Sequence, residues 1–193
     1  MKKLQWDKVR VLVANYCNYK CPFCHNEGQG KTTTKERMSL QSFRRLVDIL
    51  SNQPISEFNI SGGEPFLNED IVDMILYIND NLDCDISCAT NLSLIKPEHI
   101  SVLSGTRIKF NIQFPFATAE AFKQSTVTGN LDRILTNIDL LCAENIQVGL
   151  NTVVQSDDFS SISTLIDFAL ERGLPLKLLP QIGLSGSNQF LNH

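Results

Sequence analysis

Apolar residues recur along this chain in two alternating patterns. Short β-branched runs predict strands at Val9–Ala14, Glu57–Ser61, Cys84–Thr90, Arg107–Phe114, Ile146–Val153 and Leu176–Pro180. Between them lie longer stretches of helical periodicity. Ser39 is placed to cap a helix turning Leu40, Phe43, Leu46, Val47 and Leu50 inward, and Asn68 to cap one carrying Ile71, Met74, Ile75 and Ile78. Pro97 suits a first helical turn, Thr118 opens a further helix, and Asn130 precedes Leu131, Ile134, Leu135, Ile138 and Leu141 at helical spacing. The last helix starts at Asp158 or Ser160, buries Ile162, Leu165, Ile166 and Ala169, and stops at Gly173. Strands alternating with helices, without an internal repeat, predict an α/β fold in which crossover helices cover a parallel sheet.

Two connections are too long for tight turns: Asn15 to Met38 after the first strand and Pro115 to Gly129 after the fourth. Long loops after strands are where such folds build their sites. A length of 193 residues with 42% hydrophobic content supports one domain, read here as a core over 1–183. Residues 184–193 read as a tail of flexible composition, too short for another helix, and leave open a chain cut short there. The formal charge of -4 comes from interspersed acids and bases. With no basic stripe, bulk nucleic acid is not an expected partner. No apolar run reaches the length of a signal peptide core or a membrane span, so the expectation is a soluble, cytoplasmic protein without a membrane partner. In that compartment the six cysteines are expected as thiols or metal ligands rather than disulfides.

Three of them share one loop. Cys17, Cys21 and Cys24 stand at C-x3-C-x2-C spacing in Cys17-Asn18-Tyr19-Lys20-Cys21-Pro22-Phe23-Cys24-His25. Three thiolates from a short loop can hold three irons of a four-iron cluster and leave the fourth iron to the amine and carboxylate of a small molecule. The alternative is zinc, which needs a fourth ligand; His25 follows Cys24 directly, and no cysteine pair lies downstream at finger spacing. Downstream, Ser61-Gly62-Gly63-Glu64-Pro65 follows the second strand. Paired glycines there let backbone groups approach a ligand closely, and Glu64 can add a carboxylate for an ammonium group; a plain turn is the alternative. Asn151 sits among apolar strand residues, where burial requires a hydrogen-bond partner, whether a ligand or neighbouring backbone. Cys84, Cys88 and Cys142 are expected in the core as small buried hydrophobes.

The cysteine spacing, with aromatic Phe23 ahead of the third cysteine, resembles the hallmark of the radical S-adenosylmethionine (SAM) superfamily. Over nearly the whole chain the pattern is closest to the molybdenum-cofactor (GTP cyclase) branch of that family. The resemblance implies a partial (β/α)6 barrel of the radical SAM type, with a 4Fe-4S cluster on Cys17, Cys21 and Cys24 and SAM as the second cofactor. In the family the residue at Phe23 packs near adenine, whereas a core role is the alternative. Gly62, Gly63 and Glu64 match the motif that receives the methionine amine. Thr90-Asn91 resembles a pair that faces the SAM site, though it also suits a turn into a helix. Gln113 stands where the branch has serine and is expected to bond SAM's carboxylate or ribose; Pro115 stands where the branch has aspartate. The strand holding Asn151 and the sixth strand, Leu176 to Gly183, are similar to the last family strands, the sixth bordering adenine. His25-Asn26-Glu27-Gly28 is similar to the sequence after the cluster cysteines in members of that branch.

The implied function is reductive cleavage of SAM to a 5'-deoxyadenosyl radical that abstracts hydrogen from a small-molecule, nucleotide- or sugar-like substrate. An electron donor such as flavodoxin or ferredoxin is the implied partner. A peptide- or protein-modifying enzyme and a glycyl-radical activase are alternatives within the family. From another class, a non-catalytic zinc or redox-sensing module accounts for the cysteine loop but not for Gly62 to Pro65.

Overall fold

The computed structural model describes residues 7–24, 34–154 and 159–180. Six strands, β1 (Lys8–Leu12), β2 (Glu57–Ser61), β3 (Asp85–Thr90), β4 (Ile108–Gln113), β5 (Gln147–Val154) and β6 (Leu176–Pro180), lie side by side in chain order. All neighbouring pairs are parallel. Helices α1 (Leu40–Leu50), α2 (Ile71–Asn81), α3 (Pro97–Leu103), α4 (Ala119–Thr126), α5 (Leu131–Ala143) and α6 (Phe159–Glu171) fill the connections. This order is what successive right-handed crossovers produce when each strand is laid beside the last.

The register gives the sheet two unlike faces. Arg10, Asn59, Ser87 and Lys109 form one row across β1 to β4, and Gln113, Asn151 and Lys177 another across β4 to β6. Because side chains alternate along a strand, the intervening positions face the other way. Those positions, among them Phe58, Ile60, Phe110, Ile112 and Leu150, are buried in the core. Helices seal that face: Phe43 of α1 meets Phe58 edge-on at 5.8 Å, and Phe168 of α6 stacks on Phe114 at 5.0 Å.

Helix starts follow local chemistry. The Ser39 side chain accepts from the Ser42 amide and the Asn130 side chain from the Arg133 amide, while Pro97 occupies the first turn of α3. Gly173, with φ +63°, ends α6 as expected. Asp158, the other expected start of α6, lies outside the described residues, as do His25–Gly28 and the tail.

Other expectations need correction. Asn68 does not cap α2; a 3-10 turn, Pro65–Leu67, intervenes and ends at Asn68, whose Oδ1 accepts from the Asp70 amide. The Asn68 Nδ2 donates to the Val13 and Met38 carbonyls, so the side chain ties α2 to the loop after β1. On α6, Ile166 is exposed and Phe168 takes its place against the core. Cys142 is likewise exposed, one position past the buried Leu141, whereas Cys84 and Cys88 are buried as expected. Strand ends move by one or two residues; β1 stops at Leu12, and Ala14 forms an antiparallel bridge with Arg37.

The paired glycines also make room for the protein's own main chain. Gly63 N–H donates to the Ala14 carbonyl at 2.8 Å and Glu64 N–H to the Tyr16 carbonyl at 3.0 Å, so the end of β2 lies directly against the chain leading into the cysteine loop. A Cβ on Gly62 would stand 2.5 Å from the Ala14 oxygen, and one on Gly63 2.1 Å from the Tyr16 oxygen. Room for the protein's own backbone is what these glycines supply. A methyl group at Gly63 must displace main chain rather than a flexible side chain, and overpacking of this kind costs about 1–3 kcal/mol. Gly63→Ala is therefore expected to lower unfolding stability by at least that much in urea denaturation of the apo chain; an unchanged midpoint would refute the contact.

Candidate active site

The C-terminal ends of the strands border a cavity of about 560 Å³, where open α/β sheets place ligands. Cys17, Cys21 and Cys24 line it from the loop after β1, next to Gly62, Gly63 and Glu64 after β2. Phe23, Thr90, Gln113 and Asn151 line it too. Every candidate metal and cofactor residue thus meets around one space, although they come from five separate segments.

The cysteine loop is shaped by its own hydrogen bonds and by two outside anchors. Cys24 N–H donates to the Cys21 carbonyl at 3.1 Å, closing a tight turn through Pro22. Tyr19 N–H points at the Cys17 sulfur at 3.4 Å. Lys20 N–H donates to the Thr126 carbonyl, and the Thr128 hydroxyl to the Asn18 carbonyl, which moors the loop on the α4–α5 connection. Tyr19 and Phe23 are buried, and Phe23 belongs to the core and lines the cavity at once.

Burial dominates the electrostatics of the thiols. It raises the Cys17 pKa and pushes Cys21 up to about 12, with the neighbouring cysteines adding to the effect on Cys21. A positive centre beside them would stabilise the thiolate form of both. Among the described residues no three His, Cys, Asp or Glu side chains converge on one point as a single ion requires.

Glu64 is fully buried. Its Oε1 accepts from the Thr90 hydroxyl at 2.6 Å and the Phe66 amide at 3.1 Å, and its Oε2 from the Asn91 amide at 2.8 Å. Burial raises its pKa, opposed by these three donors. The Thr90 hydroxyl in turn accepts from the Leu92 amide. Both side chains are engaged by the protein, and they frame the cavity wall. Behind that wall, Asn137 of α5 donates to the carbonyl of Leu92, a buried residue held at φ +61°.

Other groups remain open to a ligand. Gln113 Nε2 is buried without an acceptor among the described residues, which is the condition expected of a donor waiting for a bound molecule. Cations gather on the same cavity: Lys8, Arg10 and Lys177 line it, while Glu64 is the only acid among the described lining residues. Lys8 pairs with Glu57 at 2.8 Å and Arg10 donates to the Ser61 hydroxyl. Sequence reasoning did not single out Arg10, Lys177, Asn18 or Ser93. Strand alternation would have put the first two on the face of Gln113 and Asn151; nothing local signals the other two.

Residues 11–169 match the family model described as Radical SAM superfamily. The chain is 27% identical over 187 residues to a GTP 3',8-cyclase of Clostridium perfringens (strain 13 / Type A), a match covering 95% of this chain and 58% of that one. A probable GTP 3',8-cyclase of Thermococcus kodakarensis is 29% identical over 172 residues, 89% of this chain and 55% of the relative. The chain therefore spans little more than half the length of the curated relatives it matches. Among solved structures, Streptococcus suis SuiB bound to S-adenosylmethionine superposes with a TM-score of 0.83 at 17% identity, over 96% of this chain and 43% of that one. Native anSMEcpe with bound AdoMet gives 0.77 at 16% identity, over 91% and 51%. Their likeness establishes the partial-barrel fold. A family match running through most of the sheet and across the cysteine loop places this chain in the radical SAM superfamily, enzymes that use a 4Fe-4S cluster and S-adenosylmethionine.

Proposed function

We propose that Cys17, Cys21 and Cys24 hold a 4Fe-4S cluster at which SAM is reductively cleaved, and that the radical so made takes hydrogen from an anionic small molecule of nucleotide- or sugar-like type. The observation that carries this reading is the meeting of the three thiols with Gln113, Asn151 and the cation-bearing strands around one cavity. When bound, the cluster and SAM supply the electron transfer and the hydrogen-abstracting radical; the chain binds, orients and excludes water. The loop thiols give three tethers. Gln113 offers a buried donor to a carboxylate or ribose oxygen, and the half-buried Asn151 lies beside it in register. Phe23 presents an apolar ring to an adenine, and Leu179 and Pro180 border the same space.

The substrate side rests on charge. Arg10 and Lys177 come from the first and last strands, and the one carboxylate among the described lining residues, Glu64, is already satisfied by protein donors. Such a cavity attracts a negatively charged group. The names of the curated relatives, GTP 3',8-cyclases, support a nucleotide-like molecule. The electron would come from a small carrier such as flavodoxin or ferredoxin.

Anaerobic reconstitution with iron and sulfide, followed by visible spectroscopy and a dithionite-driven SAM cleavage assay, tests the reading. Unmodified protein should turn brown and release 5'-deoxyadenosine, whereas Cys21→Ala should do neither; a colourless protein that binds one zinc would overturn the proposal. Gln113→Leu should keep its cluster and bind SAM roughly tenfold more weakly, as expected for one lost hydrogen bond of about 1.4 kcal/mol. In calorimetric titrations Lys177→Ala should lose about 10- to 100-fold affinity for phosphorylated candidates and little for their dephosphorylated counterparts. Equal losses for both would count against an anionic substrate.

A further inference from the structure

Resting on the reading that Cys17 is a cluster ligand, we propose that Asn91 is a positioning residue whose side-chain amide donates to the Cys17 sulfur and raises the reduction potential of the cluster. Asn91 follows β3, far from Cys17 in sequence, yet its Nδ2 lies 3.7 Å from the Cys17 Sγ and 2.9 Å from the Asn18 Oδ1.

The direction of this amide is over-determined. Asn91 Oδ1 accepts from both the Ser93 amide, at 2.9 Å, and the Ser93 hydroxyl, at 2.6 Å. Turning the side chain over would set an NH2 group against the Ser93 N–H and an oxygen against both the Asn18 oxygen and the sulfur. The ring is closed by Asn18, whose Nδ2 donates to the Ser93 hydroxyl oxygen at 2.8 Å. The main chain of Asn91 is anchored separately through its N–H to Glu64 Oε2. Asn18, Ser93 and Asn91 therefore lock one another, and the only freedom left to the Asn91 donor is to share itself between Asn18 and Cys17.

The chemistry follows from the acceptor. As a thiol, Cys17 can donate weakly to Asn18 Oδ1 at 3.9 Å. As an iron-bound thiolate it has no proton to give and becomes a stronger acceptor, so the Asn91 contact strengthens as the other is lost. With Tyr19 N–H at 3.4 Å, the sulfur then has two donors. Hydrogen bonds to cluster sulfur withdraw negative charge, favour the reduced form and raise the potential. Reduction is the step on which the proposed cleavage depends, so this amide bears on how readily a donor can load the electron.

The experiment is a redox titration of the reconstituted full chain followed by EPR of the reduced cluster, with iron and sulfide content measured on each sample. Asn91→Ala, which removes the donor, should lower the midpoint potential, and Asn91→Asp, which replaces it with a negative oxygen, should lower it further. Ser93→Ala leaves the donor but loosens its clamp and should give a smaller downward shift. Full cluster content with an unshifted midpoint in both Asn91 variants would overturn the proposal. Should those variants fail to load iron, the unmodified chain decides the matter: asparagine labelled with 15N in the side chain should give a nitrogen coupling in pulsed EPR of the reduced cluster, and its absence is equally fatal. Failure of the unmodified chain to assemble any cluster would instead reject the underlying assignment of Cys17.

Discussion

The arrangement turns on a carboxylate that water cannot reach. Glu64 is fully enclosed, and a buried charge is tolerable only where donors replace its hydration. Those donors are the Thr90 hydroxyl and the Phe66 and Asn91 amides, so the demand of one side chain draws together the end of β3 and the 3-10 turn after β2. Through its own amide, Glu64 also holds Tyr16 at the entrance to the cysteine loop. Segments separated by tens of residues become one corner, and the three loop thiols stand beside it.

Rigidity there contrasts with incompleteness opposite. Purely parallel sheets are normally buried and apolar on both faces, yet the inner face here carries Arg10, Asn59, Lys109, Gln113, Asn151 and Lys177 in register. Some of this polarity is settled internally: Asn59 Nδ2 donates to the Ser87 hydroxyl at 2.7 Å. The Gln113 donor is not. A sequence consistent at every level departs from packing rules chiefly at functional sites, and the departure here faces the same cavity as the thiols.

A site side chain keeps its aim when the groups touching it are themselves held. Around Cys17 stand small polar residues, Asn18, Asn91 and Ser93, each hydrogen-bonded to the other two. Burial of Cys17 and Cys21, which drives their pKa upward, makes both poor bare thiolates and favours a positively charged centre beside them. Lys20 and Asn18 moor the loop on Thr126 and Thr128 at the α4–α5 connection.

Much was legible from order and spacing alone. The alternation of apolar runs determined the six parallel strands, and local cap chemistry at Ser39, Pro97 and Asn130 determined helix starts, because period and capping depend on neighbours only a few residues away. Cysteine spacing likewise singled out the candidate metal-binding loop, and with Gly62 to Glu64 it marked the family. Tertiary structure decided the rest. That the paired glycines serve the protein's own backbone, that Glu64 is a buried hub, that Asn68 ties α2 to the first loop instead of capping it, and that Asn91 reaches Cys17 are all consequences of contacts between distant segments. Such contacts are set by how strands and helices pack, and no local pattern along the chain encodes the distance between them.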